Sequence, residues 1–232
     1  MMAPYAIAHM KIGLKLSETG FSAWGQLDDS NRVRVYLTNS LEPHQDFSDR
    51  LAFDVPALAH ESQAVNRVKE RTPFTVIIGN PPYLREKERG PGQRAERIGG
   101  WVRFGVSGGK MPPLFDDFIK SLTDNNKGVH AKLAYELSVI FWRFALWLAF
   151  ERCSQFGIIG MISPRAYISG PGHTGMRKWI KSHSTNFWVT DLGGDNRGAR
   201  KSENIFDIET GVTIGVCVNS PCSGNQTCSV RY

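Results

Sequence analysis

The sequence predicts an α/β protein: one domain over residues 1–232, with a mostly parallel sheet and helices on both faces. Two observations carry that reading. Short β-branched runs alternate along the chain with helix-length segments, the order that produces a layered α/β unit. The runs Phe74-Thr75-Val76-Ile77-Ile78-Gly79 and Gly157-Ile158-Ile159-Gly160-Met161-Ile162-Ser163 are apolar nearly throughout, as strands covered on both faces are. No internal repeat, low-complexity tract or interior linker divides the chain.

Taken in order, the first helix runs from Ala6 to Leu16, with Ile7, Met10 and Leu14 on one side, and Thr19-Gly20 ends it. Arg32 to Leu37 alternates arginine with Val33, Val35 and Leu37. This strand pattern runs into Thr38-Asn39-Ser40-Leu41-Glu42-Pro43. Leu58 to Lys69 holds enough alanine, glutamate and lysine for a helix before the Phe74 strand. Residues 84–110 form a long irregular segment rich in arginine and glycine. Leu133 to Glu151 is a helix leading into the Gly157 strand, which Pro164 stops. A short helix at Met176 to Ser182 precedes strands at Phe187 to Leu192 and Thr213 to Val218, and Cys228 to Tyr232 begins another.

Composition narrows the class. The 232 residues suffice for one sizeable core, and 41% hydrophobic with 22% charged residues is ordinary for a globular protein. A net charge of +6 and a pI near 9.2 lean toward a polyanionic partner. Cys153, Cys217, Cys222 and Cys228 form no Cys-x-x-Cys pair and have no histidine at a zinc-ligand spacing. They read as reduced cytosolic thiols without a metal. The N-terminus lacks a charged region followed by an apolar core, so no signal peptide is expected. Leu133 to Phe150 is the most apolar stretch, but Glu136 and Arg143 interrupt it, which favours a buried helix over a membrane span.

Asn80-Pro81-Pro82-Tyr83 is where chemistry concentrates. It follows the Phe74 strand directly, so its side chains enter the crevice at a strand's carboxyl end, where open α/β sheets bind ligands. Two prolines fix φ and remove backbone donors, which leaves a rigid turn whose carbonyl oxygens stay free to accept. Asn80 adds a side-chain acceptor and Tyr83 a flat aromatic face. Together they suit a planar, amine-bearing group.

This tetrapeptide resembles the motif of S-adenosyl-L-methionine (AdoMet)-dependent amino-methyltransferases, above all the DNA adenine-N6 methyltransferases. The resemblance implies that Asn80 and the Pro81 carbonyl accept hydrogen bonds from the target amine, that Pro82 stiffens the turn, and that Tyr83 stacks on the base. The implied partner is double-stranded DNA with a flipped adenine, because the amine is out of reach inside the duplex. The methyl donor is already a sulfonium, so positioning and electrostatics suffice without a strong base.

The likeness extends along the chain. Met2 to His9, Tyr36 to Pro43, Phe141-Trp142-Arg143, Gly193 to Arg197 and Ser202 to Ile208 all resemble large single-polypeptide restriction-modification methyltransferases. The implied fold is a Rossmann-like AdoMet methyltransferase sheet. It is expected to be incomplete here, because the glycine-rich AdoMet turn after the family's first strand does not occur in this sequence. What the resemblance leaves of the cofactor site is the end of the family's third strand, where Thr38 and Asn39 would line the adenine of AdoMet and Leu41 would pack beside it. An ordinary strand-end turn is the competing reading of Thr38-Asn39. The expectation is a partial catalytic domain, completed by the missing part of the same enzyme or by a companion chain.

Between Leu84 and Lys110, seven cations stand against three carboxylates, so this segment holds +4 of the chain's +6. Arg85, Lys87, Arg89, Arg94, Arg97 and Arg103 are candidates for tracking phosphates beside an extruded nucleotide, and Trp101 for a wedge or a stack. A solvated surface loop is the alternative. The six histidines are scattered with no nucleophile motif nearby, and Asp116-Asp117 and Asp191 with Asp195 read as solvated or turn residues rather than metal ligands. Two other functions stay open: a similar motif acting on RNA or on a protein glutamine, and a truncated DNA-binding remnant without catalysis.

Overall fold

The computed structural model describes residues 2–21, 33–43, 56–84, 98–106, 108, 111–124, 130–152, 156–194, 204, 206, 208, 210–220 and 228–232. They fall into two compact units, Met1–Thr72 and Pro73–Tyr232.

Among the described residues, the first unit contains two helices, α1 (Met2–Glu18) and α2 (Pro56–Arg71). Gly20, at φ 86°, ends α1 in the left-handed conformation that glycine adopts without strain. Between the helices, residues 33–38 carry no sheet pairing, which corrects the strand expected at Arg32–Leu37. The alternation is present, but a strand needs a neighbouring ladder, and none among the described residues of this unit offers one. The segment is instead held by Glu61 of α2. Its Oε1 accepts from the Leu37 N–H at 3.0 Å, and its Oε2 accepts from the Tyr5 hydroxyl at 3.4 Å.

The second unit is a five-stranded sheet in the order β1-β2-β4-β3-β5. The strands are β1 (Val76–Gly79), β2 (Gly157–Pro164), β3 (Asn186–Asp191), β4 (Val212–Asn219) and β5 (Ser229–Arg231). β1–β2 and β3–β5 pair parallel, whereas β2–β4 and β3–β4 pair antiparallel. The expected mostly parallel sheet is therefore a mixed one. The reversal comes from β4, which turns back against its sequence neighbour β3 and needs no crossover helix to do so. β1 also departs from the fully covered strand its composition suggested: among the described residues it pairs with β2 alone, and Val76 and Ile78 are 53% and 85% exposed. Apolar composition alone does not distinguish a central strand from an edge strand.

The helices of this unit are α3 (Gly100–Phe104), α4 (Asp116–Thr123), α5 (Ala131–Ala134), α6 (Leu137–Leu146), α7 (Ala166–Ser169) and α8 (Thr174–His183). The single helix expected from Leu133 to Glu151 is broken. Tyr135 leaves helical geometry at ψ 59°, Glu136 is extended, α6 restarts at Leu137, and Trp147–Glu151 closes as a π-turn. Trp142 of α6 is fully buried beside Phe187 and Tyr167, and its indole N–H donates to Ser163 Oγ of β2 at 3.0 Å. Arg143 is internal too. Its guanidinium donates to the Leu114 carbonyl (2.9 Å), pairs with Asp117 and Glu151 (both 2.6 Å), and stacks 4.8 Å over Trp179. The charge that argued against a membrane span thus ties α4, the π-turn and α8 together. Among the described residues, no helix is long and apolar enough to cross a membrane.

Candidate functional site

The site is built at the carboxyl end of β1. Gly79 ends the strand opposite Met161, and a Cβ there would lie 2.6 Å from the Met161 sulfur, so that side chain would have to shift. Asn80 then leaves the sheet with its side chain exposed, Pro81 is buried, Pro82 is exposed and Tyr83 is half-buried. The Tyr83 hydroxyl donates to Asn80 Oδ1 at 3.1 Å. All four residues expected to form the acceptor turn are therefore brought together in one short, rigid segment.

The exit of the turn is anchored at the break between α5 and α6. The Leu137 N–H donates to the Leu84 carbonyl at 2.8 Å, which fixes the chain one residue beyond Tyr83. Next to this anchor sits Glu136, only 2% exposed, whose Oε1 accepts from Ser138 Oγ at 3.0 Å. Burial, and then the Glu136 carboxylate, push the Tyr83 phenol above its ordinary pKa and keep it a hydrogen-bond donor. Sequence reasoning used Glu136 only as an interruption of an apolar run. Its adjacency to Tyr83 depends on a tertiary contact and leaves no local signature.

The residues assigned to a cofactor edge, Thr38, Asn39 and Leu41, lie in the first unit. Asn39 is engaged in its own turn: its Oδ1 accepts from the Leu41 N–H at 3.1 Å and its Nδ2 donates to Glu42 Oε1 at 3.2 Å. Lys69 of α2 closes the turn by donating to the carbonyls of Asn39 and Glu42, both at 2.8 Å. Burial depresses the Lys69 pKa, and the Glu42 carboxylate opposes that shift. Leu41 is buried, and Thr38 is exposed with its hydroxyl 3.4 Å from the Asn39 carbonyl.

In the arginine-rich segment, Arg85, Lys87, Arg89, Arg94 and Arg97 lie outside the described residues. Arg103 lies 3.9 Å over the Tyr135 ring and 4.8 Å over Phe104, an intramolecular cation–π arrangement. Trp101 is 5% exposed and packs edge-on against Trp147 and Phe144, so in this structure its ring serves the core.

The mixed sheet with an acceptor turn at the end of a parallel strand is consistent with part of a Rossmann-like methyltransferase fold. Residues 5–197 match the family described as Eco57I restriction-modification methylase, and the chain belongs to that family. Among solved structures, it is similar to the ATP-dependent Type ISP restriction-modification enzyme LlaBIII bound to DNA. That match has a TM-score of 0.63 and 22% identity, over 97% of this chain and 14% of that one. A DrdV–DNA complex matches with a TM-score of 0.62 and 20% identity, over 99% of this chain and 20% of that one. A nuclease-deletion mutant of the Type ISP enzyme LlaGI, in complex with a DNA substrate mimic, matches at 0.51 and 21% identity, over 75% of this chain and 16% of that one. At these identities the likeness is one of fold, and the chain spans only a minor part of each structure. No curated protein matches it.

Proposed function

We propose that this chain carries the target-base pocket of an AdoMet-dependent, site-specific DNA adenine-N6 methyltransferase of a restriction-modification system. On this reading it acts in the cytoplasm as part of a longer polypeptide or with a companion chain. The observation that carries the proposal is the rigid Asn80-Pro81-Pro82-Tyr83 turn projecting from the end of β1 in a chain of this methylase family.

Asn80 Oδ1 and the Pro81 carbonyl accept the two hydrogens of the exocyclic amine of a flipped adenine. That orients the nitrogen lone pair and adds electron density to it as it becomes the nucleophile. Pro82 holds the turn, and the Tyr83 ring supports the base by stacking. Bound AdoMet supplies the methyl group as a sulfonium. The residues described here do not make a full pocket for it: Asn39 and Leu41 are committed to the Lys69-closed turn, and Thr38 alone has an exposed hydroxyl near it. On this reading the main donor pocket is completed by the longer polypeptide or the companion chain. The cations of residues 84–110 would contact phosphates on either side of the extruded nucleotide.

The test is Asn80→Ala in an enzyme that includes this chain. Transfer of labelled methyl groups to DNA is expected to fall by about a hundredfold or more, with DNA binding retained in a filter assay. An unchanged transfer rate would refute the role given to Asn80.

A further inference from the structure

Asn39 and Asn80 differ in what satisfies their side-chain oxygens. Asn39 Oδ1 accepts the backbone N–H two residues on, from Leu41, which is the ordinary local solution for an asparagine at a turn. Asn80 cannot use it, because residues one and two positions on are Pro81 and Pro82 and neither has an N–H. The donor that Asn80 Oδ1 finds is the Tyr83 hydroxyl, 3.1 Å away. Asn80 is exposed, so without that bond its amide could turn over about its last torsion and exchange its oxygen for its NH₂. A turned-over amide would present a donor to an incoming amine, and the pocket would repel its target. One lone pair of Oδ1 taken by Tyr83 leaves the second to accept from the target.

We propose that Tyr83 is a positioning residue as well as a stacking platform: its hydroxyl, donating to Oδ1, restrains the Asn80 amide beside the target amine. This rests on the reading of Asn80 as the acceptor of an exocyclic amine. The turn's exit is held by the Leu137 N–H on the Leu84 carbonyl, so the backbone around Tyr83 is anchored while its ring takes up the base. Burial and the Glu136 carboxylate raise the Tyr83 pKa, which favours the hydroxyl as a donor over the phenolate.

The experiment compares binding of two fluorescein-labelled single-stranded 11-mers of thymidine to the 232-residue chain at one fixed salt concentration. One carries a central deoxyadenosine and the other a central deoxyinosine, which keeps a purine face for stacking and lacks the exocyclic amine. The wild-type chain is expected to prefer adenine. Tyr83→Phe keeps the ring and should lower that preference by about three- to tenfold, the range of one net hydrogen bond, with hypoxanthine binding unchanged. Asn80→Ala should abolish the preference, and adding Tyr83→Phe to it should change nothing further. Circular dichroism on each variant confirms that it is folded.

A Tyr83→Phe chain with the wild-type preference, while Asn80→Ala loses it, would overturn the positioning role and leave the amine pocket standing. A rise in preference in Tyr83→Phe would also overturn it, because the hydroxyl would then be competing with the target. No adenine preference in the wild-type chain would overturn the amine pocket and the positioning role together.

Discussion

At the residue scale, chemistry is set by which partner each polar side chain is left with. Asn39 and Asn80 are the same residue type. The first spends its amide on its own turn, and the second, denied a backbone donor by two prolines, keeps an acceptor available. Buried hydroxyls follow the same logic. Tyr167 is buried, with Thr213 Oγ1 3.0 Å from its oxygen, and burial pushes its pKa from 10.0 up to about 12. The folded state thus favours the protonated phenol. That stability is fully present below pH 10, where the unfolded chain is also protonated, and is lost as pH rises through about 12. Denaturant midpoints measured across pH 9 to 12 should fall more steeply for the wild-type chain than for Tyr167→Phe. Equal slopes would remove Tyr167 as the cause. The candidate turn was legible in the sequence because its geometry is local: a strand, two prolines and an aromatic residue in succession. Glu61, Lys69 and Glu136 were not, because each works through residues far away in the chain.

At the element scale, periodicity located the five strands of the sheet unit and its α8 helix to within a few residues, since each buries a face that its pattern announces, whereas the short α3, α4 and α7 gave no such signal. It failed where pairing decides. Residues 33–38 alternate without a ladder, β4 reverses against β3, and the apolar β1 is an edge strand. The break at Tyr135–Glu136 was equally invisible, as neither residue is a helix breaker by propensity. It matters, because restarting α6 there supplies the N–H that anchors the acceptor turn. Packing between α4 and α8 depends on a glycine. Gly175 of α8 faces the Phe118 carbonyl of α4, and a Cβ there would overlap the oxygen. Gly175→Ala should therefore destabilise the chain by about 3 kcal/mol, the upper part of the usual overpacking range. Urea denaturation measures this, and a change below about 0.5 kcal/mol, the scale of an ordinary surface substitution, would show that α4 and α8 separate freely.

At the scale of the whole molecule, the sheet presents the acceptor turn on a strand whose other edge is unpaired among the described residues. The proposed division of labour places the amine pocket here and the main methyl-donor pocket elsewhere. Calorimetric titration of the folded 232-residue chain with AdoMet should accordingly show no micromolar binding. Micromolar binding would mean that Thr38 and its neighbours suffice for the donor.

The most direct test of the central claim is the identity of the methylated nucleoside. An enzyme that includes this chain would be incubated with DNA and AdoMet carrying a labelled methyl group, and the DNA digested to nucleosides and separated. The label is predicted in N6-methyldeoxyadenosine, and it should disappear in the Asn80→Ala variant. Label on a pyrimidine, or on adenine with Asn80→Ala as active as the wild type, would contradict an adenine-amine pocket at Asn80–Tyr83.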